Sequence, residues 1–125
     1  MKVAIVDDDQ HFGRALARVL AAEQCETSLF GSGADFLRSL HAQVPDCLLL
    51  DVRMPGMDGF SVQETLKAGG FAIPIIAISS AASDVAKRMA DGGAVTCLAK
   101  PVDVGLLMDA VRQAIAIASP TATPS

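Results

Sequence analysis

Short apolar runs alternate with longer segments in which apolar residues recur every three or four positions, and this alternation covers nearly the whole chain. Lys2–Val6 reads as a strand. Phe12, Ala15, Leu16, Val19 and Leu20 then fall at i, i+3, i+4, i+7 and i+8, one face of a helix. Cys25–Phe30 makes a second strand. Ser32 and Asp35 suit a capped helix start, with Phe36, Leu37 and Leu40 as its apolar face. Cys47–Leu50 is a third strand, set between Pro45 and the turn-rich Met54-Pro55-Gly56-Met57-Asp58-Gly59. A shorter helix near Phe60–Lys67 ends at Gly69-Gly70, and Ile73–Ile78 follows as the fourth strand. Ala82, Val85, Ala86 and Met89 mark a fourth helix closed by Gly92-Gly93, before a fifth strand at Val95–Ala99. Asp103 can cap a last helix whose face is Val104, Leu107, Met108, Val111 and Ile115.

Five strand–helix units predict an α/β fold, doubly wound in three layers, with a parallel five-stranded sheet between two layers of helices. The first, third and fourth strands are near-continuous apolar runs, as expected of central strands covered on both faces. The second alternates through Glu26, Thr27, Ser28 and Leu29, which suits an edge. The expected order is 2-1-3-4-5. Residues 1–118 form one expected domain. The remainder, 119–125, is rich in Ser, Thr and Pro and reads as a disordered tail or the start of a linker.

Composition narrows the chemistry. A chain of 125 residues with 51% hydrophobic and 19% charged residues is long enough for a core and too apolar to be disordered. A net charge of -4 argues against direct nucleic-acid binding by its own surface. Five Phe, no Tyr and no Trp leave little for base stacking. Cys25, Cys47 and Cys97 are odd in number and form no Cys-x-x-Cys pair, which fits free thiols in a reducing compartment. No run approaches the roughly 18 apolar residues of a membrane span. A cytoplasmic protein without a membrane partner is expected.

Ligands of open parallel sheets bind at the carboxyl ends of the strands, where the strand order reverses. For order 2-1-3-4-5 that crevice lies between strands one and three. Strand one delivers Asp7, Asp8 and Asp9, strand three Asp51, strand four Ser79 and Ser80, and strand five Lys100 followed by Pro101. Such carboxylates repel one another unless a cation sits among them. Oxygen donors without nearby His or Cys favour Mg²⁺. A carboxylate beside Mg²⁺ and an ammonium can attack a phosphoryl group and form an aspartyl phosphate.

The residues Val6-Asp7-Asp8-Asp9, Leu50-Asp51-Val52-Arg53-Met54-Pro55-Gly56-Met57-Asp58-Gly59, Ser79-Ser80 and Lys100-Pro101 together resemble the receiver domain of two-component response regulators. The resemblance spans roughly residues 2 to 117 and is strongest to receivers of nitrogen-fixation-type and helix-turn-helix transcription regulators. It implies a flavodoxin-like (βα)5 fold with Asp51 as phosphoacceptor. Asp8 would bind Mg²⁺ directly and Asp7 at least partly through water, with Asp51 and the backbone carbonyl of Arg53 completing the protein ligands. Ser79, beside Ser80, would hydrogen-bond the phosphoryl oxygen. Lys100 would pair with Asp51 and then with the phosphate, and the bond to Pro101 would be cis. The implied donor is a histidine kinase or phosphotransfer protein, and the implied recipient a downstream protein or a C-terminal effector. The resemblance also allows a phosphorylation-dependent homodimer. No enzymatic turnover is expected beyond self-phosphorylation and self-dephosphorylation.

One position departs from that pattern. Similar receivers carry an aromatic residue three positions before the lysine, which turns inward when the Ser or Thr moves. Here it is Cys97, too small for a rotating gate. The Ser79–Lys100 segment also looks about one residue short, so an altered helix four or leading loop is expected. Both changes fall on the surface of helix four, strand five and helix five that generally carries output. Two rival functions follow. A haloacid-dehalogenase-like phosphatase needs a second Asp where Arg53 stands. A phosphorylation-independent adaptor would keep the fold but not the switch. Several residues carry plainer readings. Asp9 suits a helix N-terminus, Met54 and Met57 suit loop packing, and His11 and His41 suit the surface. Arg53 is either a solvent-facing residue anchored to an acid such as Asp9 or a side chain reaching over the phosphoryl group.

Overall fold

The computed structural model describes residues 1–54, 56–80 and 83–118, with 83–86 and 117–118 described by their backbone. Pro55, Ala82 and the expected tail at 119–125 lie outside the described residues, as do the side chains of Val85 and Ala86. The chain runs β1 (Lys2–Val6), α1 (Gln10–Ala22), β2 (Glu26–Phe30), α2 (Gly33–Ser39), β3 (Cys47–Asp51), α3 (Gly59–Ala68), β4 (Ile75–Ser79), α4 (Ser83–Asp91), β5 (Thr96–Ala99) and α5 (Val104–Ala118). All strands are parallel, in the order β2-β1-β3-β4-β5.

Side chains of a strand point alternately to the two faces of the sheet, and the central strands bury both. Val3, Ile5, Leu49, Ile76 and Ile78 face Leu16 and Leu20 of α1 and Leu107 and Val111 of α5. Ala4, Val6, Leu48, Leu50 and Ala77 face Phe36 of α2, Val62 and Leu66 of α3 and Met89 of α4. Each large side chain so buried stabilises the fold by roughly 1.5–3 kcal/mol in transfer terms. With both faces covered, the strand ends are held on rigid supports, and the acids that follow them share one rim.

Three helix starts are closed as their sequences suggest. The Asp9 carboxylate accepts from the Phe12 amide, Ser32 Oγ from the Asp35 amide, and Asp103 Oδ1 from the Leu106 amide at 3.0 Å. Other expectations need correction. Ala15 is exposed, and the buried stripe of α1 is Gly13, Leu16 and Leu20, which keeps the 3–4 spacing one position away. Gly13 is buried because Leu29 of β2 lies over it. Val104 is 51% exposed, since α5 meets the sheet only from Leu107 onward. Cys25 lies outside β2 because its amide bonds back to Leu20 O at the end of α1, after Gln24 turns with φ 65°. Ile73 and Val95 likewise precede their strands, and β3 extends to include Asp51.

Candidate functional site

β1 and β3 are neighbours, so the residues at their carboxyl ends emerge side by side. Carboxylate oxygens of Asp7, Asp8 and Asp51 lie within 4.8 Å of one another. Asp7 and Asp51 are 2% and 5% exposed, whereas Asp8 faces solvent. Lys100 arrives from β5, two strands beyond β3, with its amide held by Ser79 O at 3.0 Å. Its Nζ lies 3.1 Å from Asp7 Oδ2 and 3.7 Å from Asp51 Oδ2. The expected pairing with Asp51 is therefore present, and a closer one with Asp7 accompanies it.

Local structure fixes each carboxylate. Asp7 Oδ1 accepts the Asp9 amide at 2.8 Å and its Oδ2 takes Lys100, so both oxygens are engaged. Asp9 turns away to cap α1, accepting the Phe12 amide at 3.1 Å. Asp51 Oδ1 accepts the Arg53 amide at 3.3 Å. The loop after β3 returns tightly: the Gly59 amide bonds Val52 O at 2.9 Å. A Cβ on Gly59 would sit 2.8 Å from Val52 Cα, so only glycine lets α3 start this close to the backbone of Asp51.

Burial and the neighbouring Asp7 charge push the Asp51 carboxyl up to about 6, against the opposing pull of Lys100 and the Arg53 amide. Burial alone would lower the Lys100 ammonium. The Asp7 hydrogen bond and the carboxylate charges around it outweigh that and hold its pKa above the ordinary lysine value. One ammonium does not balance three carboxylates, and uncompensated buried charge is strongly unfavourable. The donor set is all oxygen and partly open to solvent through Asp8, which suits a hard divalent cation that retains waters.

The remaining site residues surround this cluster. Ser79 ends β4, buried at 2% exposure, while Ser80 follows it exposed. The Lys100–Pro101 bond is cis. The Arg53 side chain is exposed, and among the described residues it makes no ion pair with Asp9. Cys97 lies opposite Ala77, partly buried against the α2/α3/α4 side, and burial raises its thiol pKa. Cys25 and Cys47 are buried free thiols. Met54 and Met57 pack on that same side of the core, and His11 and His41 are exposed.

A family model described as the response regulator receiver domain matches residues 3–112. The chain belongs to that family. The receiver is 35% identical over 114 residues to the DNA-binding transcriptional regulator NtrC of Escherichia coli strain K12, a match covering 90% of this chain and 24% of NtrC. It is 36% identical over 117 residues to the response regulator protein TodT of Pseudomonas putida strain F1, covering 93% of this chain and 52% of TodT. It thus spans between about a quarter and half of these longer relatives. Among solved structures, full-length FixJ from B. japonicum superposes with a TM-score of 0.90 at 30% identity, covering 97% of this receiver and 60% of FixJ. Among the described residues no helix is long and apolar enough to cross a membrane.

Two features of the receiver site escape sequence reading. Lys100 lies nearer Asp7 than Asp51, and its ammonium stands 4.3 Å from the centroid of the Phe12 ring. Phe12 reads in sequence as part of the apolar helix face. Its only signal is an aromatic ring in the first turn after the aspartates.

Proposed function

We propose that this receiver accepts a phosphoryl group on Asp51 from the phosphohistidine of a histidine kinase or phosphotransfer protein in the cytoplasm. The observation that carries the reading is the convergence of Asp7, Asp8, Asp51 and Lys100 on one rim from three strands. A carboxylate oxygen of Asp51 bonds to phosphorus as the P–N bond breaks, and the electron pair returns to the leaving imidazole. Asp7, Asp8, Asp51 and the Arg53 carbonyl would hold Mg²⁺, which supplies charge neutralisation at the phosphoryl oxygens when bound. Lys100, 3.7 Å from Asp51, offers a second positive charge, and the Ser79 hydroxyl stands at the end of the adjacent strand to receive a phosphoryl oxygen. Near neutral pH a carboxyl shifted to about 6 is mostly ionised, so the nucleophile is available.

The receiver acts as a switch and turns over no small substrate beyond its own phosphorylation and dephosphorylation. Its output passes through the face formed by α4, β5 and α5 to a partner protein or an effector on the same chain, by a shift between two conformations. Incubation with acetyl phosphate and Mg²⁺, followed by intact-mass spectrometry, tests this. One phosphoryl adduct is expected on the wild type, absent without Mg²⁺ and absent from Asp51→Asn. An unmodified wild type, or an equal adduct on the variant, would sink the reading.

A further inference from the structure

We propose that Phe12 is a positioning residue for Lys100, its ring face steering the ammonium between Asp7 and the phosphoryl group on Asp51. This rests on the phosphoacceptor reading above. The Lys100 Nζ has three N–H donors. It lies 3.1 Å from Asp7, 3.7 Å from Asp51 and 4.3 Å from the centre of the Phe12 ring. An aromatic face attracts a cation through its quadrupole, without the strict direction of a hydrogen bond. The ammonium can therefore turn from Asp7 toward an oxygen on Asp51 and keep its hold on the ring throughout. The ring also keeps water from that side of the ammonium, which strengthens its attraction to the acids.

The ring is built into the site. Phe12 donates its amide to Asp9 Oδ1 at 3.1 Å, and Asp9 donates its own to Asp7 Oδ1 at 2.8 Å. The ring, the helix cap and the buried carboxylate thus form one unit at the start of α1. Phe12 is half-buried and packs against the core between the sheet and α1/α5, which fixes its position. A leucine would occupy much the same space there and offer the ammonium nothing.

The test compares wild type, Phe12→Leu, Phe12→Met and Phe12→Tyr for the rate of Asp51 phosphorylation at saturating acetyl phosphate and Mg²⁺. Mg²⁺ affinity is titrated separately. Leu and Met should slow the saturated rate by about three- to tenfold, the scale of a lost cation–ring contact, while Mg²⁺ affinity holds. Tyr keeps the ring and should stay within about twofold of wild type. In a Lys100→Met background, Phe12→Leu should cause no further loss. Wild-type rates in both aliphatic variants, a Tyr variant as slow as Leu, or an added loss without Lys100 would each overturn the proposal. A wild type that takes no phosphate would instead overturn the phosphoacceptor reading beneath it.

Discussion

Lys100 Nζ meets Asp7 Oδ2 at 3.1 Å, across 93 positions of sequence. The ammonium is thus held more closely by Asp7 than by Asp51, the proposed phosphoacceptor. Asp7 is 3% exposed in its side chain, so Lys100 is the principal balance to a charge with almost no access to water.

Lys100→Met should accordingly destabilise the metal-free receiver by about 2–4 kcal/mol, because a buried carboxylate loses its partner. Mg²⁺ should restore part of that loss by supplying another positive charge to the same acids. Urea unfolding with and without Mg²⁺ reads both effects. An unchanged midpoint, or a loss indifferent to Mg²⁺, would show that Asp7 is balanced elsewhere.

Asp51→Asn should raise the melting temperature of the metal-free receiver near neutral pH. Burial and Asp7 lift the Asp51 pKa from 3.8 unfolded to about 6 folded, so the folded state favours the protonated acid. That contribution to stability is complete below 3.8 and is lost as pH rises through about 6. Asparagine stays neutral throughout. Its advantage should grow between those two values and level off above them. Melting curves across that range, with chelator present, check the sign. A constant advantage at every pH would contradict it.

Asp8 and Asp9 should separate metal binding from stability. Asp8 belongs to the carboxylate cluster and is exposed, whereas Asp9 caps α1. Asp8→Ala should weaken Mg²⁺ binding at least about tenfold, a large share of the affinity of a site with so few protein ligands, and leave the fold nearly unchanged. Asp9→Ala should cost about 1 kcal/mol of stability and leave Mg²⁺ binding nearly intact. Equal effects in a metal titration would reverse the two roles.

Gln63 ties α3 to the end of α4. It is 4% exposed, and its Nε2 donates to Met89 O at 3.0 Å, a carbonyl that also accepts the Ala94 amide at 3.0 Å. Its amide oxygen occupies the space beside Gly92 where a Cβ would stand. Gln63→Ala should therefore lower stability by about 1–3 kcal/mol and leave a gap at that turn. Amide hydrogen exchange should quicken at Gly92–Ala94. Unchanged unfolding and exchange would remove Gln63 from this role.

Much of this was legible along the chain. The apolar run Leu48–Leu50 marked a strand covered on both faces, and the alternation of Glu26–Leu29 marked an edge. Asp9, Ser32 and Asp103 announced helix starts because capping joins residues only three positions apart. Ala15 and Val104 misled for the same local reason. Spacing names the residues that share a face, but a helix buries only the part that meets the sheet. The gathering of Asp7, Asp8, Asp51 and Lys100 could be inferred from strand order, since the ends of parallel strands share a rim.

The sequence by itself determined the strand–helix alternation, the placing of the acids and the lysine at strand ends, and the absence of an aromatic at Cys97. Only the tertiary structure decided that Lys100 stands nearer Asp7 than Asp51, that Phe12 lies beside its ammonium, and that Gln63 reaches Met89. Those contacts join residues on different elements. Their ångström-scale distances depend on how the helices seat against the sheet, which no local period along the chain encodes.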